Sequence, residues 1–177
     1  KQDIPGGAWI HSWDSLTLFS PADYSSLPGW LMPKSEHQFP LRQEAIDYLG
    51  KYEEHYQLNV RRSIEVLEIK KDGNIFKIYT LQGGFKAKTV ISATGTWGNP
   101  SIPKLEGIED FKGLQIHSGK YKSPKDFTGL KTLVVGEGNS GAQIVAEVSK
   151  VTAVKWSTKK EPEFLPDEVD GYYLFNV

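Results

Sequence analysis

"TLVVGEGNSGAQIVAEVSK", residues 132–150, runs a short apolar stretch into a glycine-rich turn and then into a helical pattern. The turn reads Gly136-x-Gly138-x-x-Gly141. In a dinucleotide fingerprint Gly136 permits the tight turn, Gly138 admits a pyrophosphate to the backbone, and Gly141 lets helix and strand pack closely. The N–H groups of the first helical turn, with Asn139 and Ser140 in it, then face the phosphates. The pattern predicts a strand over 131–135, a helix over 139–150 and a second strand over 152–157. Such a unit belongs to an open parallel α/β sheet and puts its first turn at the ligand edge.

The end of the second strand decides which dinucleotide fits. An NAD site wants Asp or Glu there for the ribose hydroxyls. This chain has Ser157-Thr158-Lys159-Lys160, with no acid before Glu161. Hydroxyls and cations favour the 2′-phosphate of NADP(H), with Thr158 and Lys159 as its contacts. A solvated basic turn is the alternative reading of the same residues.

Outward from this unit, the 177 residues suffice for one domain or for parts of two. A net charge of -1 gives no electrostatic reason to expect nucleic acid or an anionic membrane as partner. No apolar run is long enough to span a bilayer, and the polar opening Lys1-Gln2-Asp3 does not read as a secretory leader. Without cysteine there is no disulfide, thiol nucleophile or thiolate metal site, so a cytoplasmic location is expected. The four histidines, His11, His37, His55 and His117, are too scattered to suggest a metal. The acidic run Asp167, Glu168 and Asp170 reads as a solvated or substrate-side loop.

Residues 1–39 are rich in turn formers and aromatics, including Trp9, Trp13 and Trp30, and such long loops tend to be functional. Pro40 opens a helix that ends before Leu58, with Leu41, Ala45, Leu49, Tyr52 and Tyr56 on one face. Strand patterns follow over 58–92, with turns at Lys71-Asp72-Gly73-Asn74 and Gln82-Gly83-Gly84. They predict a β-meander that returns through a buried strand, Thr89-Val90-Ile91-Ser92, into Ala93-Thr94-Gly95. Residues 97–129 are irregular.

Four motifs, of which the glycine turn at Gly136–Gly141 is the last along the chain, resemble class B flavin-dependent monooxygenases, the group of flavin-containing and Baeyer–Villiger monooxygenases. Phe111-x-Gly113-x-x-x-His117-x-x-x-Tyr121 resembles that family's fingerprint, and ends fifteen residues before Gly136. Ala93-Thr94-Gly95 resembles its interdomain segment, and Gly6-Gly7-x-Trp9 its flavin-approaching turn. "GGAWIHSWDSLTLFSPADYSSLPGWLMP" and "PEFLPDEVDGYYLF" resemble, more narrowly, small flavoprotein monooxygenases of bacterial arsenic-resistance operons.

The resemblance implies an α/β flavoprotein of two dinucleotide-binding domains with an inserted β-meander, incomplete at both ends. Residues 1–127 would be the remainder of an FAD domain lacking its first strand–glycine–helix unit, and 128–177 the start of an NADP domain. It implies FAD and NADP(H) as cofactors, and O₂ and a small soft-heteroatom molecule, an organoarsenical under the narrower resemblance, as substrates. A homodimer is allowed. Gly6, Gly7 and Trp9 would approach the flavin, and Asp14, Leu18, Ser20 and Pro21 would line its edge. Val66 would meet adenine through its backbone, or is plain core. Gly136, Gly138, Asn139, Ser140 and Gly141 would hold the NADPH pyrophosphate. His117 would couple domains or organise the linker rather than transfer a proton. No catalytic side chain is required, because the cofactor carries the chemistry and the protein orients and shields. Two further readings stay open. One is a flavoprotein oxidoreductase without oxygenase activity, of which the cysteine-dependent kind is disfavoured here. The other is an inactive fragment or nucleotide-binding module.

Overall fold

The computed structural model describes residues 2–175. They form two compact units that interleave along the chain. The first holds the residues up to Ile10 and Gln43–Gly98; the second holds His11–Arg42 and the residues from Asn99 onward.

The first unit contains helix α1 (Arg42–His55, from Gln43 on) and an antiparallel meander of β1 (Val66–Asp72), β2 (Ile75–Thr80) and β3 (Gly83–Ala87). The buried face of α1 is Ala45 and Tyr48, with Tyr52 ring-packed against Tyr48. Leu41 and Tyr56, expected on that face, are exposed. The Gly73-Asn74 turn closes β1 on β2 with Gly73 at φ +58°, a conformation that glycine adopts without Cβ strain. Register pairs Ile69 with Ile78 and Ile78 with Phe85, so one cross-strand row of the meander is apolar. The neighbouring row pairs Lys70 with Lys77 and Lys77 with Lys86. Glu68 on Lys70 at 2.9 Å and Asp72 on Lys77 at 2.5 Å offset that like-charge row.

The predicted strand Thr89–Ser92 is not a strand, and Ile91 is 87% exposed. An apolar run of this kind is stable as a central strand only with neighbours on its edges, and no strand among the described residues pairs with it.

The second unit is built on β4 (Thr132–Val135), α2 (Asn139–Val148) and β5 (Val154–Ser157), with β4 and β5 parallel and in direct register. Both strands alternate half-buried and exposed positions, so one face packs and the other stays open. The core is Trp13, Tyr121, Ile144 and Val148, with Leu16, Phe127, Val134 and Val154 against it. Tyr121 is 1% exposed and meets Trp13 edge-on at 6.0 Å between ring centroids. Its hydroxyl donates to Glu147 Oε2 at 2.7 Å, and Ser15 Oγ donates to Glu147 Oε1 at 2.5 Å.

The long loop before α1 is ordered by backbone bonds rather than by regular elements. Asp14 N–H donates to the Lys122 carbonyl at 3.0 Å, Leu18 N–H to Pro40 at 2.9 Å, and Arg42 N–H to Leu16 at 2.9 Å. Near the other end of the chain, Gly171 N–H donates to the Phe19 carbonyl at 2.7 Å, and Tyr172 lies on Tyr24 at 3.9 Å between centroids. The two segments carrying the narrower sequence resemblance therefore meet within this unit. α3 (Gly171–Phe175) follows, capped by Asp170 Oδ1 accepting the Tyr173 N–H at 3.0 Å.

Burial, then the bond to Glu147, holds the Tyr121 phenol above its ordinary range. A raised folded-state pKa gives a stabilisation that is complete below the unfolded tyrosine value of about 10 and declines as pH rises beyond it. Tyr121→Phe is expected to cost about 1–2 kcal/mol at neutral pH. It should also remove part of the fall in melting temperature between about pH 8 and about pH 11. Thermal melts of both proteins across that range check this; parallel curves would refute it.

Candidate functional site

The glycine turn leaves β4 with Gly136 N–H donating to the Ser157 carbonyl at 2.9 Å, which continues the β4–β5 ladder by one rung. Gly136 then turns at φ +123°, where a side chain would be strained. Its carbonyl accepts the Trp156 indole N–H at 2.7 Å. A Cβ on Gly141 would lie 2.4 Å from that same carbonyl oxygen, well inside contact distance. Gly141 is thus glycine because β4, α2 and β5 converge on one atom. A Cβ on Gly138 would instead meet nothing within 4 Å. The chain is bare and open at the position immediately before α2, whose first turn presents N–H groups of Asn139, Ser140 and Gly141. That combination suits the pyrophosphate of a dinucleotide, so the residues fit the group the sequence implies.

At the end of β5, Thr158 is half-buried and Lys159 exposed. The N–H groups of Lys159 and Lys160 both donate to Glu137 Oε2, at 2.9 and 3.3 Å. Glu137 lies inside the fingerprint at a position the pattern leaves free. Sequence reasoning passed over it for that reason, as it did Trp156 and Glu147.

The residues of the second motif have mainly structural contacts. The Phe111 ring lies over Gly113, where a Cβ would come within 2.4 Å of Cζ. His117 Nδ1 accepts the Gly119 N–H at 3.1 Å and caps the 3-10 turn Ser118–Lys120. Tyr121, the last residue of the motif, is the core residue bonded to α2 through Glu147. A cavity of about 150 Å³ beside this pair is lined by Trp13, Ser15, Leu16, Thr17, Gln143 and Glu147.

The residues assigned to the flavin fall in both units. Gly6 and Gly7 have φ of +108° and +56°, and a Cβ on Gly6 would be 2.9 Å from Ile10 and 3.0 Å from Ile46 of α1. The first glycine thus seats the turn on the helix, while the second faces open space. Trp9 is half-buried and donates its backbone N–H to Gly6 at 3.1 Å. In the second unit Asp14 and Leu18 are held by the bonds given above. Ser20 Oγ bonds Ser25 Oγ at 2.8 Å, and Pro21 precedes the 3-10 turn Ala22–Tyr24. Val66 begins β1 opposite Thr80, just before a bulge, and is half exposed. Ala93, Thr94 and Gly95 lie in irregular chain, with Gly95 at φ +65° and open around its Cα. Among the described residues no group of three or more His, Cys, Asp or Glu side chains is placed to hold a metal. No helix among them is long and apolar enough to cross a membrane.

Gly141→Ala separates a packing role from a mere helix preference. Alanine in an open helical position stabilises by about 1 kcal/mol relative to glycine. Here the expected sign is reversed, a loss of about 1–3 kcal/mol from the forced shift. Thermal melts of both proteins check this; a stabilised variant would refute the geometry.

Residues 17–168 match the family model for pyridine nucleotide-disulphide oxidoreductases. A CzcO-like oxidoreductase of Geobacillus kaustophilus is 36% identical over 176 residues, covering 99% of this chain and 50% of that protein. The indole-3-pyruvate monooxygenase YUCCA4 of rice is 27% identical over 188 residues, covering 96% of this chain and 43% of that protein. Among solved structures, the flavin-containing monooxygenase of Stenotrophomonas maltophilia superposes with a TM-score of 0.94 at 48% identity. That match covers 99% of this chain and 53% of the other. The chain thus spans about half the length of the relatives it matches. With a strand–glycine turn–helix–strand unit of this geometry and these matches, the chain belongs to the pyridine nucleotide-disulphide oxidoreductase family and resembles its flavin monooxygenases.

Proposed function

We propose that the protein works as an FAD- and NADPH-dependent monooxygenase that places one oxygen atom of O₂ on a small soft-heteroatom substrate. The observation that carries this reading is the open backbone at Gly138, ahead of α2, beside a Gly141 that tolerates no Cβ. A turn built in this way binds a dinucleotide phosphate without steric cost, and the 48% identical structural neighbour is a flavin monooxygenase.

In this reading Gly136, Gly138, Asn139, Ser140 and Gly141 hold the NADPH pyrophosphate through backbone N–H groups and the helix end. Thr158 and Lys159, at the end of β5, meet the 2′-phosphate. Gly7 lets the backbone come close to the isoalloxazine, with Trp9 beside it. Asp14, Leu18, Ser20 and Pro21 line the flavin's edge, Val66 meets its adenine, and Ala93–Gly95 links the nucleotide domains. The flavin, when bound, accepts hydride and activates O₂. The chain's own task is to bind, orient and exclude water, which needs no nucleophile or acid–base pair. None of the relatives named above supports the arsenical expectation, so organoarsenicals enter only as one class in the substrate panel.

The test uses the complete protein. Purification with a flavin absorbance band, and NADPH oxidation with O₂ uptake that rises with a sulfide, amine or organoarsenical, is the expected result. Absence of flavin, or oxidation that no substrate stimulates, would overturn the reading. Lys159→Asp is expected to weaken NADPH relative to NADH by roughly tenfold to a hundredfold, the scale of one hydrogen bond to a charged group. An unchanged preference would remove Lys159 from the 2′-phosphate site.

A further inference from the structure

The sequence at the end of β5 offers no acid, and this absence is what points to NADP(H). The fold supplies an acid from elsewhere. β4 and β5 are parallel and in register, Val135 opposite Ser157, and Gly136 N–H extends the ladder to the Ser157 carbonyl. Two residues beyond each strand, Glu137 therefore stands opposite Lys159. Its Oε2 accepts the Lys159 and Lys160 N–H groups at 2.9 and 3.3 Å. Consecutive N–H groups converging on one oxygen form an anion-binding nest, and here an internal carboxylate fills it.

A dinucleotide with its pyrophosphate on α2 lays its adenosine ribose across the carboxyl ends of β4 and β5. We propose that Glu137 is the specificity-determining residue of this site, a carboxylate at the ribose end that opposes a 2′-phosphate and so lets the protein accept NADH alongside NADPH. The proposal rests on the dinucleotide reading given above and sharpens it. Two physical effects act in the same direction. The carboxylate repels the 2′-phosphate directly, and it already occupies the two backbone donors that a phosphate would otherwise take. A ribose 2′-hydroxyl meets neither difficulty and gains an acceptor. Thr158, Lys159 and Lys160 pull the other way, so selectivity is a balance of opposed charges on one turn. Breaking the balance at Glu137 should reveal the cationic half.

Glu137→Gln isolates the charge, because the amide oxygen can still accept both N–H groups and hold the 159–160 turn. In the complete flavin-loaded protein, the NADPH over NADH ratio of kcat/KM is expected to rise about threefold to tenfold, as for one exposed charge a few ångströms from another. Calorimetric titration with 2′,5′-ADP and 5′-AMP, which differ in the 2′-phosphate alone, should show the same rise in the affinity ratio without turnover. The rise should shrink with added salt. Glu137→Ala removes charge and acceptor together and should shift the ratio the same way, so the result does not hang on one variant's folding. If both nucleotides bind and the ratio stays fixed or falls in both variants, Glu137 is only a loop fastener and the proposal is overturned while the dinucleotide reading stands. If neither nucleotide binds the wild-type protein, both fall together.

Discussion

One carbonyl oxygen organises the second unit. Gly136 O accepts the Trp156 indole N–H at 2.7 Å and lies where a Cβ on residue 141 would be 2.4 Å away. The first residue of the turn, the first turn of α2 and the Trp156 side chain of β5 are thereby drawn to one point. The indole bond gives this carbonyl a partner while the absent Cβ at 141 lets the helix pack this close to it. Close packing in turn fixes where the first N–H groups of α2 point, and through them what the turn can bind.

The same unit is tied at its other side by Glu147. Its two carboxylate oxygens take the Tyr121 phenol and the Ser15 hydroxyl, joining the irregular segments before α1 and before β4 to one helix. Tyr121 has its ring in the apolar core and its hydroxyl on a charge, an arrangement that uses both ends of the side chain. The fingerprint Phe111–Tyr121 thus reads physically as packing and capping. Phe111 covers Gly113, His117 caps a 3-10 turn, and Tyr121 anchors the run on α2.

The open surfaces are informative in the same terms. Leu133 and Val135 project from β4 with more than half their surface exposed, and Ile91 is barer still. Parallel sheets are stable when both faces are covered. Such exposure agrees with a chain that spans about half the length of its relatives.

Local chemistry made much of this legible in advance. The glycine spacing, the apolar four-residue strands and the helix between them are short-range signals, and β4, α2 and β5 formed within two residues of the expected bounds. The first hairpin of the meander was equally readable, because Asp72-Gly73 marks its turn and the turn fixes register; the second turn falls at Leu81-Gln82, and Gly83 and Gly84, expected in the turn, begin β3. The strand at Thr89–Ser92 was not, since a strand exists only through its neighbours and the sequence of one segment does not say whether they are present. The buried face of α1 rotated from Leu41 and Tyr56 towards Tyr48, because the choice among several apolar positions is made by what packs on them. The carboxylate at the end of β5 lay beyond sequence reading for the plainest reason. Glu137 and Lys159 are twenty-two residues apart in the chain, and only the parallel pairing of β4 with β5 puts them side by side. Short-range pattern determined which elements form and that a dinucleotide turn is among them. Tertiary structure decided which charges meet across it, because a side chain's electrostatic partner is set by distance in space and not by order along the chain.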